Sequence, residues 1–339
     1  MRIAVASGKG GTGKTTVAVG LAQALAQSME METDGAAWSE PGVPEAEPVR
    51  LLDCDVEEPN AHLFLGAEET GRKPFAVKVP RIDEQKCTSC GKCVEFCEYH
   101  ALARFGQKVM VFDNLCHGCG GCSILCPEGA ISEEDRPIGE LIEGRVRQGG
   151  SEPSGSPSRS AGIRTLYGLL DVGEVLAPPL IRAVKREGGG YVHEKFKLRG
   201  DEGGSAAADR GAAAAIIVDS PPGTTCPMVT AVKDAYVGLL VTENTPFGLH
   251  DLELAVETLS EMNIPMGVVI NRADVGHAEL EEYCRTQEIP VLLEIPYDEE
   301  VAAGYARGES IVRSNPRYGE EFRRLYRRIE EIVRQRRAV

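Results

Sequence analysis

The sequence predicts a doubly wound α/β domain with a mostly parallel sheet, split by a cysteine-rich insert. Three observations lead there. Short apolar runs alternate with helical stretches along most of the 339 residues. A glycine loop sits where the first run meets the first helix, and eight of the eleven cysteines crowd into residues 87–126. Strands buried on both faces read as continuous apolar runs, and their alternation with helices implies βαβ units with helices on both sides of one sheet.

In chain order, Ile3–Ser7 reads as a strand and Gly13–Gln27 as a helix. Val49–Asp53, Ile216–Asp219, Tyr236–Thr242, Met266–Asn271 and Val291–Ile295 follow as further strands. Residues 28–48, 148–162 and 187–213 have the Gly, Pro, Ser and charge content of surface loops or linkers. The α/β pattern therefore occupies residues 1–66 and 147–339, and the insert residues 67–146. With 42% hydrophobic and 26% charged residues the composition is that of a globular protein. A net charge of −15 argues against a protein that coats nucleic acid, because phosphate binding rests on clustered Lys and Arg. No apolar run approaches the roughly 18–20 residues that span a bilayer. The N-terminus lacks the regions of a signal peptide, so a cytoplasmic location is expected.

Gly8-Lys9-Gly10-Gly11-Thr12-Gly13-Lys14-Thr15, followed by Thr16, comes after a strand and opens a helix, the setting of a phosphate-binding P-loop. Glycines let consecutive N–H groups turn toward phosphate oxygens, and the helix N-terminus adds a favourable dipole. Lys14 is expected at the β- and γ-phosphates, and the Thr15 hydroxyl on Mg2+. Asp219 closes an apolar strand and offers a carboxylate to the same metal, and Gly223 follows in a flexible turn.

Lys9 alone would be a solvated cation. The whole string, however, resembles the deviant Walker A motif of the MinD/ParA and nitrogenase-iron-protein class. The resemblance implies that Lys9 reaches across a nucleotide-sandwich dimer to the partner's phosphates. It implies that Asp53–Asn60 is switch I, with Asp53 near Mg2+ and Asp55 positioning the attacking water, and that 219–223 is Walker B running into switch II. Asp55 could instead cap a helix. Asn271-Arg272-Ala273-Asp274 superficially resembles a guanine-reading motif; the class favours adenine, hence ATP, with Asn271 and Pro296 beside the base.

The cysteines repeat as a set: Cys87, Cys90, Cys93 and Cys97 recur 29 residues later as Cys116, Cys119, Cys122 and Cys126. Clustered thiols in an intracellular chain more often bind metal than form disulfides. The C-x2-C-x2-C-x3-C spacing is that of bacterial two-cluster ferredoxins, whose fourth cysteine serves the other cluster. Two 4Fe-4S clusters follow, one held by Cys87, Cys90, Cys93 and Cys126, the other by Cys97, Cys116, Cys119 and Cys122. The insert is then a ferredoxin-like βαββαβ unit. Zinc, the rival metal, suits overlapping triplets poorly. The first copy has Glu98 where the second has Pro127.

The combination is similar over nearly the whole chain to MinD-superfamily P-loop ATPases with an inserted ferredoxin domain. Residues 53–65, 168–185, 219–227 and 241–257 carry the likeness. It implies an ATP-dependent homodimer, or a heterodimer with a related ATPase, acting on an unknown redox or metallocluster partner. Three roles stay open: ATP-gated electron transfer, cluster assembly or carriage, and redox-sensing positioning. Phe322, Leu325, Tyr326, Ile329, Ile332 and Val333 form an apolar stripe on a C-terminal helix with arginines opposite. Such a stripe packs on its own domain more often than it lies on a membrane. Cys54 and Cys284 read as small buried apolar residues, and Cys226 has no second ligand beside it.

Overall fold

The computed structural model describes residues 1–32, 49–146, 162–189, 215–274, 276 and 278–337. Most of the three expected linkers therefore falls outside the described residues.

The chain opens with β1 (Arg2–Ala6), the phosphate loop and α1 (Lys14–Glu32), then β2 (Val49–Asp53) and α2 (Ala61–Leu65). α1 runs five residues past its expected end at Gln27. The acidic character of Ser28–Glu32 suggested a loop, but Met and Glu are good helix formers and simply extend it. The insert follows as β3 (Glu68–Ile82), α3 (Lys92–Phe96), β4 (Leu102–Phe105), β5 (Lys108–Val111), α4 (Gly121–Leu125) and β6 (Ile131–Val146). This is a βαββαβ order.

The chain then returns through β7 (Ile163–Leu170), α5 (Ala177–Glu187), β8 (Ala215–Asp219) and α6 (Cys226–Val232). β9 (Val237–Glu243), α7 (Pro246–Glu261), β10 (Met266–Asn271), α8 (Ala278–Thr286) and β11 (Val291–Ile295) complete the alternation. Three helices end the chain, α9 (Glu299–Ala306), α10 (Ile311–Ser314) and α11 (Arg317–Arg337).

The main sheet has the order β11-β10-β9-β1-β8-β2-β7-β6-β3. Neighbours from β11 to β7 pair in parallel, whereas β6 pairs antiparallel with both β7 and β3. One apolar core lies on each face. α1, α10 and α11 cover one side through residues such as Leu21, Ile311 and Phe322. α5 to α8 cover the other through Leu180, Met228, Leu252 and Leu280.

The α11 stripe is spent on this core, because Phe322, Leu325 and Ile329 are 0% exposed. A Cβ on Gly20 of α1 would lie 2.4 Å from the Phe322 ring, so glycine there lets the two helices meet closely. Among the described residues no helix is long and apolar enough to cross a membrane.

The insert's first and last strands belong to two structures at once. β6 pairs with β7 only from Gly139 to Val146, so residues 68–75 and 139–146 extend the main sheet. Beyond that, Ala76–Ile82 and Ile131–Pro137 continue as a two-stranded ribbon that leaves it. The register shifts at the exit: Phe75 faces Gly139 but Ala76 faces Pro137, and Ile138 is left over as a bulge. A Cβ on Gly139 would sit 2.3 Å from the Leu169 carbonyl oxygen, so this close crossing requires glycine.

Candidate functional site

The phosphate loop closes over its own lysine. Lys14 Nζ donates to Ser7 Oγ at 2.9 Å and to the Lys9 carbonyl at 3.3 Å, while Ser7 Oγ donates to the Lys9 carbonyl at 2.5 Å. Burial lowers the Lys14 pKa, and the charges of Asp219 and Asp55 oppose it. Gly11 and Gly13 take φ of +80° and +95°, left-handed conformations that favour glycine. α7 backs the loop so tightly that a Cβ on Gly8 would lie 2.0 Å from the Asp251 carbonyl oxygen. Gly10 faces Pro222, and the Gly223 amide, at φ +87°, donates to the Ser7 carbonyl at 3.1 Å. Thr12 is buried, and its hydroxyl finds no partner among the described residues.

The charges of Asp219 and Asp55 act on Lys14, and Asp53 lies beside both carboxylates. Asp219 is buried, and neither of its oxygens has a hydrogen-bond partner among the described residues. Desolvation and then the charge of Asp53 hold its carboxyl well above the usual range, with nearby Thr15 and Lys14 opposing. Orphaned buried oxygens beside the Thr15 hydroxyl suit a hydrated Mg2+.

Asp53 is spoken for. Its Oδ1 accepts the Asp55 amide at 3.1 Å, and its Oδ2 accepts those of Asn60 and Ala61 at 2.9 and 3.0 Å. Burial lifts it to about 7 against these amides. Its visible work is to hold residues 55–60 and the start of α2. Asp55 is half-buried and raised to about 6, mainly by burial, with Lys14 opposing.

Lys9 Nζ lies 3.6 Å from Asp251 Oδ2 of the same chain. Asn271 reaches the loop itself, Nδ2 donating to the Thr12 carbonyl at 2.9 Å, and its tip would meet a Cβ on Gly13. The Ala273 amide donates to the Ile295 carbonyl at 3.0 Å, which brings the exposed Pro296 turn alongside 271–274. Thr16 packs at the side of α1 near Phe64 and Tyr305.

The insert gathers its cysteines into two groups. Cys97, Cys116, Cys119 and Cys122 line a cavity of about 350 Å³ together with Phe96, Tyr99 and His117, the last two rings stacked at 3.5 Å. Cys87, Cys90, Cys93 and Cys126 line a smaller cavity closed by Ile82, Val109 and Ile131. These are the crossed sets that the ferredoxin spacing implies. The two copies also match in detail: the Ala101 amide donates to Cys97 Sγ and the Ala130 amide to Cys126 Sγ, both at 3.3 Å. Gly91 and Gly120, at φ +82° and +72°, begin α3 and α4 in the same way.

Among the described residues no three His, Cys, Asp or Glu side chains converge tightly enough for a single ion. The thiols instead line the two cavities, four to each. Cys54 and Cys284 are buried, and Cys226 is exposed at the start of α6.

Sequence reasoning passed over Lys185, Arg136 and Glu174. Lys185 is 1% exposed and donates to the Thr230 carbonyl at 2.9 Å and to that of Lys233. Its place one turn after Ile181, on the apolar side of α5, was an available signal.

A family model described as the CobQ/CobB/MinD/ParA nucleotide binding domain matches residues 3–31 and 45–311. An uncharacterised protein of Methanocaldococcus jannaschii is 27% identical over 317 residues, 93% of each chain. Ferredoxin-3 of Rhodobacter capsulatus is 33% identical over 87 residues, covering 18% of this chain and 81% of the ferredoxin. Among solved structures, the septum site-determining protein MinD of Pyrococcus horikoshii, complexed with Mg-ADP, aligns over 98% of this chain and 96% of its own. Its TM-score is 0.50 at 16% identity, a likeness of fold.

Proposed function

The chain belongs to the CobQ/CobB/MinD/ParA family of nucleotide-binding P-loop ATPases, and from that premise we propose that it couples ATP-driven dimer switching to electron transfer through two 4Fe-4S clusters. One observation carries the reading: the strands that flank both cysteine-lined cavities are strands of the sheet that presents the phosphate loop. The likeness to a ferredoxin supports the cluster assignment.

In this reading Gly8–Thr16 wraps the phosphates and Lys14 leaves its internal contacts to meet the β- and γ-oxygens. Thr15 and, through water, Asp219 hold Mg2+. Asp53 keeps switch I in place so that Asp55 can orient the attacking water. Gly223 lets switch II swing with the γ-phosphate. Lys9 exchanges Asp251 for the phosphates of a second subunit, either another copy or a related ATPase. When bound, each 4Fe-4S cluster stores and passes single electrons; the eight cysteines hold the two, and the amides of Ala101, Ala130 and Gly118 stabilise the thiolates they face. Full cysteine ligation suits retention, which favours electron transfer to a redox or metallocluster protein over cluster donation.

The test is anaerobic. ATP turnover of the reconstituted protein is measured with clusters oxidised and reduced, and reduction of a dye or protein acceptor is followed with ATP and with a non-hydrolysable analogue. Coupling predicts that turnover depends on cluster state and that acceptor reduction stalls with the analogue. Equal rates in every condition would sink it.

A further inference from the structure

A coupled machine needs a joint between the nucleotide and the clusters, and the hydrogen bonds trace one. Val56 directly follows Asp55 in switch I, and its carbonyl accepts the amide of Leu170, the last residue of β7, at 2.9 Å. The next amide, that of Asp171, donates to the carbonyl of Ile138 at 3.1 Å. Ile138 is the bulged residue at which the ribbon leaves the sheet. A shift of switch I therefore pulls on two adjacent residues, one bonded to the switch and one to the root of the ribbon.

The loop is then pinned from its other end. Glu174 Oε1 accepts the amides of Val175 and Leu176, both at 3.0 Å, which fixes it to the start of α5. Its Oε2 accepts from Arg136 Nη1 on the ribbon, two residues from the bulge. The pair is largely buried, with side chains 18% and 9% exposed. Arg136 Nε and Nη2 are buried without an acceptor among the described residues. A buried guanidinium with unused donors has capacity for another arrangement, because every such donor favours a partner.

The ribbon continues toward the cysteines. Arg136 pairs with Val77 across the ribbon, and Gly118 packs so closely there that a Cβ on it would lie 3.1 Å from the Lys78 carbonyl oxygen and 3.3 Å from Val77 Cβ. The Gly118 amide donates to Cys116 Sγ at 3.5 Å. The path thus ends at a ligand of the larger cysteine cavity. That cavity lies nearer the sheet, beside Lys78 and Pro80, whereas the smaller one lies at the ribbon tip beside Ile82 and Ile131.

We infer that Glu174 and Arg136 are a positioning pair that transmits the state of switch I to the cluster held by Cys97, Cys116, Cys119 and Cys122, and that the cluster at the ribbon tip is not addressed by this path. The inference rests on the coupling proposed above. It makes the inner cluster the nucleotide-responsive one and the tip cluster the one whose properties stay constant.

The experiment uses the full-length, cluster-loaded protein and its Glu174→Gln and Arg136→Lys variants, with and without a non-hydrolysable ATP analogue and Mg2+. Glu174→Gln keeps an oxygen for the Val175 and Leu176 amides while removing the charge. Arg136→Lys keeps a cation if the first variant fails to fold. Amide exchange is read at 54–60 and 131–139, and each cluster's EPR signal and midpoint potential are assigned with the Cys97→Ser and Cys126→Ser forms.

In the wild type the analogue changes exchange in both segments and shifts the inner cluster alone. In the variants the change at 54–60 persists, while the responses at 131–139 and of the inner cluster are lost and ATP turnover is retained. Variants whose inner cluster responds as fully as the wild type would overturn the joint. A wild type in which 54–60 responds but neither cluster does would overturn the coupling itself, a different failure.

Discussion

The metal-free protein should lose stability as the pH rises toward neutrality, and Asp53 supplies the sign and the size. Its carboxyl moves from 3.8 to about 7 on folding, driven by burial and opposed by the Ala61, Asp55 and Asn60 amides. Between those values the folded protein retains a proton that the unfolded chain has released. Stability then falls by up to about 1.4 kcal/mol per pH unit over that window. The whole displacement amounts to roughly 4 kcal/mol, a large share of the about 5–15 kcal/mol that holds a typical domain together. Asp219 is displaced in the same direction and steepens the fall.

Mg2+ with nucleotide should reverse the trend, because the bound cation stabilises the ionised carboxylates and displaces their protons. The assay is urea unfolding from about pH 4 to about pH 8, with and without Mg-nucleotide. Asp53→Asn has no such proton to lose, so its metal-free slope should be shallower than that of the wild type. Parallel slopes for the two proteins, or a wild-type slope indifferent to Mg-nucleotide, would refute the reasoning.

Three further outcomes are expected. Cys126→Ser should remove the cluster served by Cys87, Cys90 and Cys93 and spare the other, and Cys97→Ser should do the converse, as read by EPR and iron content; damage to the same cluster by both would contradict the crossed sets. Phe322→Ala should destabilise by about 3–5 kcal/mol in chemical denaturation, because the ring is fully buried against Gly20; a loss below about 1 kcal/mol would mean that α11 is not part of the core. Mg-ATP at about a hundred times its Kd should stabilise the wild type by roughly 3 kcal/mol and leave Lys14→Ala unmoved in a thermal melt; equal shifts would place the phosphates elsewhere.

What could be read from the sequence was what chemistry fixes at short range. A phosphate loop needs its glycines and Lys14 in one string, and a cuboidal cluster needs three thiols from one turn, so both appear as spacing. The α11 stripe was legible for a similar reason, since one helix face carries it. Longer-range features were not. Glu68–Ile82 holds Gly71, Pro74 and Pro80 among charges, and nothing in it announces a 15-residue strand shared between two structures. Its length comes from the partner strand 131–146. Asp53 is expected near Mg2+ from the class resemblance, but the three amides it accepts come from a loop whose shape the sequence does not state. Glu174 and Arg136 stand 38 residues apart, and although Glu174 lies within 168–185, nothing local in either stretch points to the other.

The sharing of strands between sheet and ribbon bears on how such a chain could change over evolution. β7 finds its two neighbours in β2 and β6. Excising residues 67–146 would strip β7 of one of them and bare a row of backbone donors and acceptors from Ile163 to Leu170. Naked strand edges recruit foreign strands. The cysteine-rich insert is therefore not a cassette that can be dropped to leave the main sheet intact. Its removal would turn a sheet interior into an aggregation seed, and selection for solubility alone would tend to keep the insert and the α/β domain on one chain.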